Sequence, residues 1–358
     1  MRQVVVALLG VCLSAGVFAQ DSNENIEQGY TNLEGGDCVF AQYLFREALE
    51  EDENNVAARV GMGRALTCQG AYQLGIAEFE AARELEPDNV EAAVELANAY
   101  QSQYEGDPEA FPSKLDEALV ILEEAEAIAP EDPKVLSGKG AILFNQGNIA
   151  AARTAFERAV SLTSRSDTSE RDVAQMYVNL GSAYRELDEL ELALQAFRRA
   201  VTLNPESARA HNNVGDIYYR LEQCDNAIYE LTQATRLNPA YIDAKVNIAV
   251  SLFECGNVAD SVPYFEEALE LPGALNFPPL YTYLSRAYVE QGMFDEAVRR
   301  AQQGALLPPV SADAFFYLAQ AYEARQASGD TARAEEAYES ALEVDPNYAA
   351  AQEALNGN

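Results

Sequence analysis

Residues 177–205 read YVNLGSAYRELDELELALQAFRRAVTLNP and predict two helices joined by a short turn. The small residues Gly181 and Ala193 stand where two antiparallel helices must approach closely, and Tyr184 and Phe197 fill the space on either side. Pro205 ends the second helix, because its nitrogen carries no hydrogen and its ring disfavours helix for the preceding residue. One such pair cannot bury its own apolar faces, so it requires neighbours of the same shape.

Those neighbours occur at a period of 34 residues. One step forward, the residues in register are Val214, Gly215, Tyr218, Ala227, Leu231, Ala234 and Pro239. The next step gives Ile248, Ala249, Leu252, Phe265 and Ala268. One step backward, past a polar loop at 166–172, the residues are Gly140, Leu143, Gly147, Ala152, Phe156 and Ala159. The chain is therefore built from repeats.

In these positions the chain resembles the tetratricopeptide repeat (TPR) family. The resemblance implies an all-α fold, a right-handed α-solenoid of about nine helix-turn-helix repeats in a single domain over 20–358. The repeats are expected at 22–55, 56–89, 90–132, 133–166, 174–207, 208–241, 242–275, 278–311 and 312–348. The third is lengthened by the turn-rich stretch YEGDPEAFP at 104–112. A capping helix is expected at 348–355, because a last repeat needs a cover for its exposed face.

The first 19 residues, MRQVVVALLGVCLSAGVFA, have the features of an export signal. Arg2 precedes an apolar run, and Val17 and Ala19 are the small residues expected before a cut, so cleavage after Ala19 is predicted. The weaker alternative is a lipoprotein site at Cys12, for which Val11 fits poorly. The run is too short for a good membrane span and nothing after it is long enough, so no membrane insertion is expected. We expect a periplasmic or secreted protein.

Four cysteines follow this segment: Cys38, Cys68, Cys224 and Cys255. In the TPR frame, Cys38 and Cys224 each begin a second helix, and Cys68 and Cys255 each end the first helix of the following repeat. The predicted disulfides are therefore Cys38–Cys68 and Cys224–Cys255; the alternative is four buried thiols. No CxxC motif or histidine pair accompanies these cysteines, so we expect neither a metal nor a cofactor.

The formal net charge is −34, and residues 21–132 hold 27 carboxylates against 5 basic residues. Such a field repels nucleic acid, so a nucleic acid partner is not expected. The carboxylates either solvate exposed helix faces or attract a cationic partner to the N-terminal repeats.

Catalytic patterns are missing from the sequence. It contains no glycine-rich phosphate loop, no GxSxG and no cysteine with a histidine partner. The single histidine, His211, occupies a position where the TPR family often places a packed aromatic side chain, so we expect it to pack between helices. We therefore expect a protein that is not an enzyme.

The resemblance places first helices along a concave groove that typically binds peptides or proteins. The sixth positions of repeats five to seven are Asn179, Asn213 and Asn247, similar to the asparagine ladder of O-linked N-acetylglucosamine transferases. Amides can hydrogen-bond the backbone of an extended peptide, although asparagine is also common on such helices. Further candidates for the groove are Asn212, Asp216, Tyr219, Arg220 and Phe253.

Two hypotheses about function follow. The first is a scaffold or adaptor outside the cytoplasm that binds an extended protein or peptide segment in this groove. The second is a structural component of an envelope or secretion complex that assembles through its edges or ends.

Overall fold

The computed structural model describes residues 22–357, and this part of the chain is helical, with nineteen α-helices and no strand. The predicted export signal and Cys12 lie outside the described residues. Within 22–357, no helix combines the length and apolar character needed to cross a membrane. The chain divides into two compact units, the first ending at Leu162 and the second beginning at Thr163.

The first unit contains four helical pairs. They are α1 (Ser22–Glu34) with α2 (Cys38–Glu51), α3 (Val56–Cys68) with α4 (Tyr72–Leu85), α5 (Val90–Gly106) with α6 (Lys114–Ile128), and α7 (Pro133–Asn145) with α8 (Ile149–Leu162). Within this unit, α2 also packs on α3, α4 on α5 and α6 on α7. Residues 104–112 were expected to form a loop, but α5 continues to Gly106, so the loop before α6 begins only after that residue.

The second unit contains five pairs and a final helix. They are α9 (Glu170–Glu186) with α10 (Leu190–Leu203), α11 (Ala208–Arg220) with α12 (Cys224–Leu237), α13 (Ile242–Glu254) with α14 (Val258–Leu269), α15 (Pro278–Glu290) with α16 (Phe294–Ala305), and α17 (Ala312–Arg325) with α18 (Asp330–Val344). The capping helix α19 (Ala349–Gly357) packs on α18. Two short 3₁₀ turns lie at Thr163–Arg165 and Ala274–Asn276.

Polar capping residues begin most first helices. Their side chains accept a hydrogen bond from a backbone N–H in the first turn, which satisfies a donor that has no partner within the helix. These residues are Asn55, Asn89, Asp132, Ser169, Ser207 and Ser311. Ser169 explains one difference from the predicted boundaries: α9 starts at Glu170, four residues before the expected start of repeat five, because Ser169 caps it there.

In five of the pairs, one large side chain from the second helix packs on a glycine of the first. Phe197 is fully buried, and a Cβ added to Gly181 would lie 2.6 Å from its ring. That distance is well inside van der Waals contact, so the close approach requires glycine at this position. In repeat six Leu231 packs on Gly215, and a Cβ added to Gly215 would lie 2.6 Å from Leu231 Cγ. The repeat therefore tolerates different bulky residues at this place.

The four described cysteines form two disulfides, with the predicted pairing. Cys38 is joined to Cys68 and Cys224 to Cys255, with Cα–Cα distances of 6.1 and 6.0 Å. Cys38 and Cys224 are the first residues of α2 and α12, Cys68 is the last of α3, and Cys255 caps α13. Each bridge therefore ties a second helix to the first helix of the next repeat.

Candidate functional site

A cavity of about 420 Å³ opens on three consecutive first helices of the second unit, α9, α11 and α13. Its polar lining includes Arg185 from α9, Asn212, Asn213 and Asp216 from α11, and Asn247 from α13. The α11 residues share one face because positions three and four apart are neighbours on a helix. We call this space the asparagine cavity.

Two amides of the asparagine cavity are almost fully buried by the protein. Asn212 is 6% exposed and Asn213 is 7% exposed, although both line the cavity. Asn247 donates its amide hydrogen to the Asn212 carbonyl oxygen at 2.9 Å. Among the described residues, Asn213 has no hydrogen-bond partner for its side chain, and Asn212 has none besides Asn247. Because both amides line the open cavity, their unpaired donors and acceptors are available to a ligand that can hydrogen-bond them.

Three arginines surround the amides. Asp216 lies 3.6 Å from an Arg185 nitrogen and 3.5 Å from Arg220 Nε. Arg185 also contacts Glu186 at 3.3 Å, but its own Nε is buried without an acceptor. Arg209 lines the cavity and makes no ion pair with any described residue. Arg209 therefore keeps unused hydrogen-bond donors at the cavity.

Asp243, on the first turn of α13, is the second carboxyl group of the cavity. It forms no ion pair with a described residue, and burial raises its pKa. Burial also raises the pKa of Tyr241, which lies beside it, and the nearby charge of Asp243 adds to this effect. Arg209 and Arg185 oppose that shift, which shows that their positive charges reach the same part of the cavity.

The structure gathers five of the eight residues proposed from the sequence: Asn212, Asn213, Asp216, Arg220 and Asn247. Asn179 does not join them. Its carbonyl oxygen accepts a hydrogen bond at 2.8 Å from Gln175, one turn earlier on α9. The expected ladder of Asn179, Asn213 and Asn247 is thus not an even row, because Asn247 bonds Asn212 and Asn179 bonds its own helix.

The prediction that Phe253 offers an aromatic surface to a ligand is wrong. Phe253 is only 5% exposed, and its ring meets Tyr283 of α15 edge to face at 5.9 Å. The guanidinium of Arg286 also stacks on it at 4.7 Å. The next first helix therefore covers this ring. Tyr219 is half-buried near Tyr283, with its pKa raised mainly by burial, and it does not line the cavity.

Sequence reasoning missed Arg209, Asp243 and Phe277. Arg209 and Asp243 are 34 residues apart, at the second positions of repeats six and seven, so the repeat period could have placed them side by side. Phe277 comes from the connection between α14 and α15. The period breaks there, and no sequence signal places this ring at the cavity.

His211 packs between α11 and α12, as expected from the sequence, and it does so through polar contacts. Its Nδ1 lies 2.6 Å from Glu230, and its Nε2 lies 3.1 Å from the carbonyl oxygen of Pro205. The hydrogen bond to Glu230 is the main cause of a raised pKa, although burial opposes it. Two acceptors hold the two ring nitrogens, so His211 connects α11 to α12 and to the preceding turn. In residues 22–357, no cluster of three or more His, Cys, Asp or Glu side chains could hold a metal.

Family models described as tetratricopeptide repeat match residues 132–206, 178–241, 215–274, 284–327 and 313–348. These matches cover more than half of the chain. The chain belongs to the tetratricopeptide repeat family. The prediction from the spacing of glycine, aromatic and proline residues is therefore confirmed, and the helical pairs described above are TPR units.

Two curated TPR relatives match short parts of the chain. The anaphase-promoting complex subunit CDC16 of Saccharomyces cerevisiae is 33% identical over 84 residues, which are 24% of this chain and 10% of that protein. The subunit cut9 of Schizosaccharomyces pombe is 31% identical over 75 residues, which are 21% of this chain and 11% of that protein. The chain thus spans about a tenth of the length of these relatives.

Solved structures extend the likeness of fold. The Cut9 chain in the APC/C hetero-tetramer Cut9–Hcn1 has a TM-score of 0.61 at 14% identity, covering 94% of this chain and 76% of that one. The thermophilic TPR protein TTC0263 of Thermus thermophilus has a TM-score of 0.50 at 20% identity, covering 55% of this chain and 99% of that one. This protein therefore has the all-α fold of a TPR solenoid.

Proposed function

We propose that this protein is a non-enzymatic protein-interaction scaffold that binds an extended segment of a partner across α9, α11 and α13. The observation that carries the proposal is the pair of buried amides, Asn212 and Asn213, whose free hydrogen-bonding groups line an open cavity. An amide offers both a donor and an acceptor, so it can pair with the N–H and C=O groups of an extended backbone. Such pairing binds a segment without requiring one side-chain sequence.

We also propose that the protein acts outside the cytoplasm, in the periplasm or after secretion. Two features support this location: the signal-like composition of residues 1–19, and two disulfides that each join neighbouring repeats. Structural disulfides persist in oxidising compartments and are rare where thiols are kept reduced.

Peptide display tests the binding function. A library of random twelve-residue peptides is panned on the protein, and the affinities of selected peptides are measured by fluorescence polarisation. Changing Asn212, Asn213 and Asn247 together to Ala should weaken binding at least tenfold while the thermal melt stays cooperative. The matched control is Asn179→Ala, which removes an amide outside the cavity and should leave affinity unchanged. Equal binding by the triple variant and the native protein would refute the proposal.

A second candidate function is assembly into a larger complex through an outer face. Exposed apolar side chains on α2 favour it: Val39, Phe40 and Tyr43 are 68%, 45% and 44% exposed, and the rings of Phe40 and Tyr43 stack at 6.0 Å. CDC16 and cut9 are themselves named as subunits of a complex. If this face forms an assembly, light scattering or crosslinking should detect it in the native protein and not in the variant Phe40→Ser with Tyr43→Ser. Peptide binding at the asparagine cavity should be the same in both proteins.

A further inference from the structure

We propose that the asparagine cavity takes one anionic side chain, a carboxylate or a phosphate, carried within the extended segment rather than at its end. This inference rests on the binding function proposed above and names the chemistry that the cavity selects.

The cavity has more unused donors than acceptors. Arg185, Arg209 and Arg220 face it against two carboxylates, and an arginine carries five N–H donors but no acceptor. Asp216 is at 3.5 to 3.6 Å from its two arginines, so it makes long contacts with both. Arg209 lines the cavity and has no carboxylate partner among the described residues. A ligand oxygen with negative charge would satisfy these donors.

The buried amides point to the same ligand. Asn212 keeps its NH₂ group, since only its carbonyl oxygen is bonded, and Asn213 keeps its whole amide. Both can donate to an oxygen held by the arginines. Charge-assisted hydrogen bonds from a guanidinium to a carboxylate or phosphate are the strong class of such bonds, and they are often bidentate. A neutral side chain would not supply the negatively charged oxygen that forms such bonds with the guanidinium groups.

The net charge of −34 does not prevent this selection. At physiological salt, exposed charges more than about 8 Å apart are largely screened from one another. Within the cavity the decisive charges are therefore the local ones. Asp243 is the opposing local charge, since it faces the cavity without a cation of its own. Removing the charge of Asp243 should therefore strengthen binding of the anion.

The position of the cavity indicates a group within the segment. α11 is the middle helix of the three, with Asn179 on α9 before it. On the other side, α13 is followed by α15, which contacts it through Phe253 and Tyr283. A segment crossing these helices continues on both sides of the cavity. A chain end in the cavity would leave one side without contacts.

The test uses blocked pentapeptides and the full-length protein. The probe is acetyl-Ala-Ala-Glu-Ala-Ala-amide, compared with its glutamine and phosphoserine counterparts and with acetyl-penta-alanine that has a free C-terminal carboxylate. Binding is followed by NMR of the arginine side-chain Nε–H signals, which report on the proposed contacts. We expect the glutamate or phosphoserine peptide to bind at least tenfold tighter than the glutamine peptide. The tighter of the two identifies the source of the anion.

Variants connect that preference to the cavity. Arg185→Gln with Arg209→Gln should abolish the preference for the acidic peptide, and Asp243→Asn should increase its affinity severalfold. The matched control is Arg198→Gln with Arg199→Gln on α10, which removes the same charge from an exposed face and should change nothing. This control separates contact in the cavity from a general charge effect.

The outcomes distinguish the two proposals. Equal binding of the glutamate and glutamine peptides overturns the anion site but leaves the binding function standing. Tightest binding by the free C-terminal carboxylate refutes a group within the segment. If none of the peptides binds and the display library yields none, both proposals fail.

Discussion

Removing the Cys224–Cys255 bridge should destabilise the repeats that form the asparagine cavity. The bridge closes a loop with a sequence separation of 31 residues, so the chain-entropy model gives it about 3.7 kcal/mol of stability at 25 °C. Replacing both cysteines by Ala removes this constraint without leaving a free thiol. Because stability in a repeat array is a sum of local terms, the loss should be concentrated in α12, α13 and their neighbours.

Hydrogen exchange measured by mass spectrometry gives the assay, together with urea unfolding of the unreduced protein. A loss of about 3.7 kcal/mol corresponds to amide exchange in α12 and α13 that is roughly 500-fold faster. The matched control is the double change at Cys38 and Cys68, with a separation of 30 residues, which should accelerate exchange in α2 and α3 and spare α12 and α13. A loss below about 1 kcal/mol, or an unreduced mass equal to that of the four free thiols, would refute the reasoning.

Three further changes test the core and the titrating groups. Phe197→Ala should lower the free energy of unfolding, measured in urea, by about 3 to 5 kcal/mol. Phe197→Leu should lower it far less, because repeat six carries leucine at the equivalent position. An equal loss of stability in both variants would contradict the packing described. The Glu230 hydrogen bond raises the pKa of His211, so the stability that this pair contributes is complete below the unfolded pKa near 6.5 and is lost as pH rises through the folded-state pKa. His211→Gln should therefore remove this fall of the melting temperature with rising pH. An unaltered pH profile would argue against the pair. Hydrogen bonds from Arg325 lower the pKa of Asp330, so its stabilisation is present above the unfolded value near 3.8 and is lost as pH falls through the folded-state pKa. Asp330→Asn should therefore lower the melting temperature at pH 7 and weaken its dependence on acid, and an unchanged melt at pH 7 would count against this ion pair.

Much of the architecture could be predicted from the sequence because a TPR unit is a local structure. Gly181, Phe197 and Pro205 recur with their equivalents at a fixed period, and each contact within a pair joins residues that are close in the chain. The capping residue Ser169 is also a local signal, because its side chain accepts a hydrogen bond from the first turn of α9. The disulfide pairs followed from the same register, because the period places the two cysteines of each pair on neighbouring repeats.

The chemistry of the cavity was decided by tertiary structure. The sequence placed Asn179, Asn213 and Asn247 at equivalent positions, but side-chain contacts between helices gave each amide a different partner. Phe253 was covered by a ring of the following repeat, which the pattern of α13 alone does not reveal. A repeat period specifies which face of a helix a residue occupies. Whether that residue is free, paired or covered depends on side chains one repeat away, and only the packed chain brings those together.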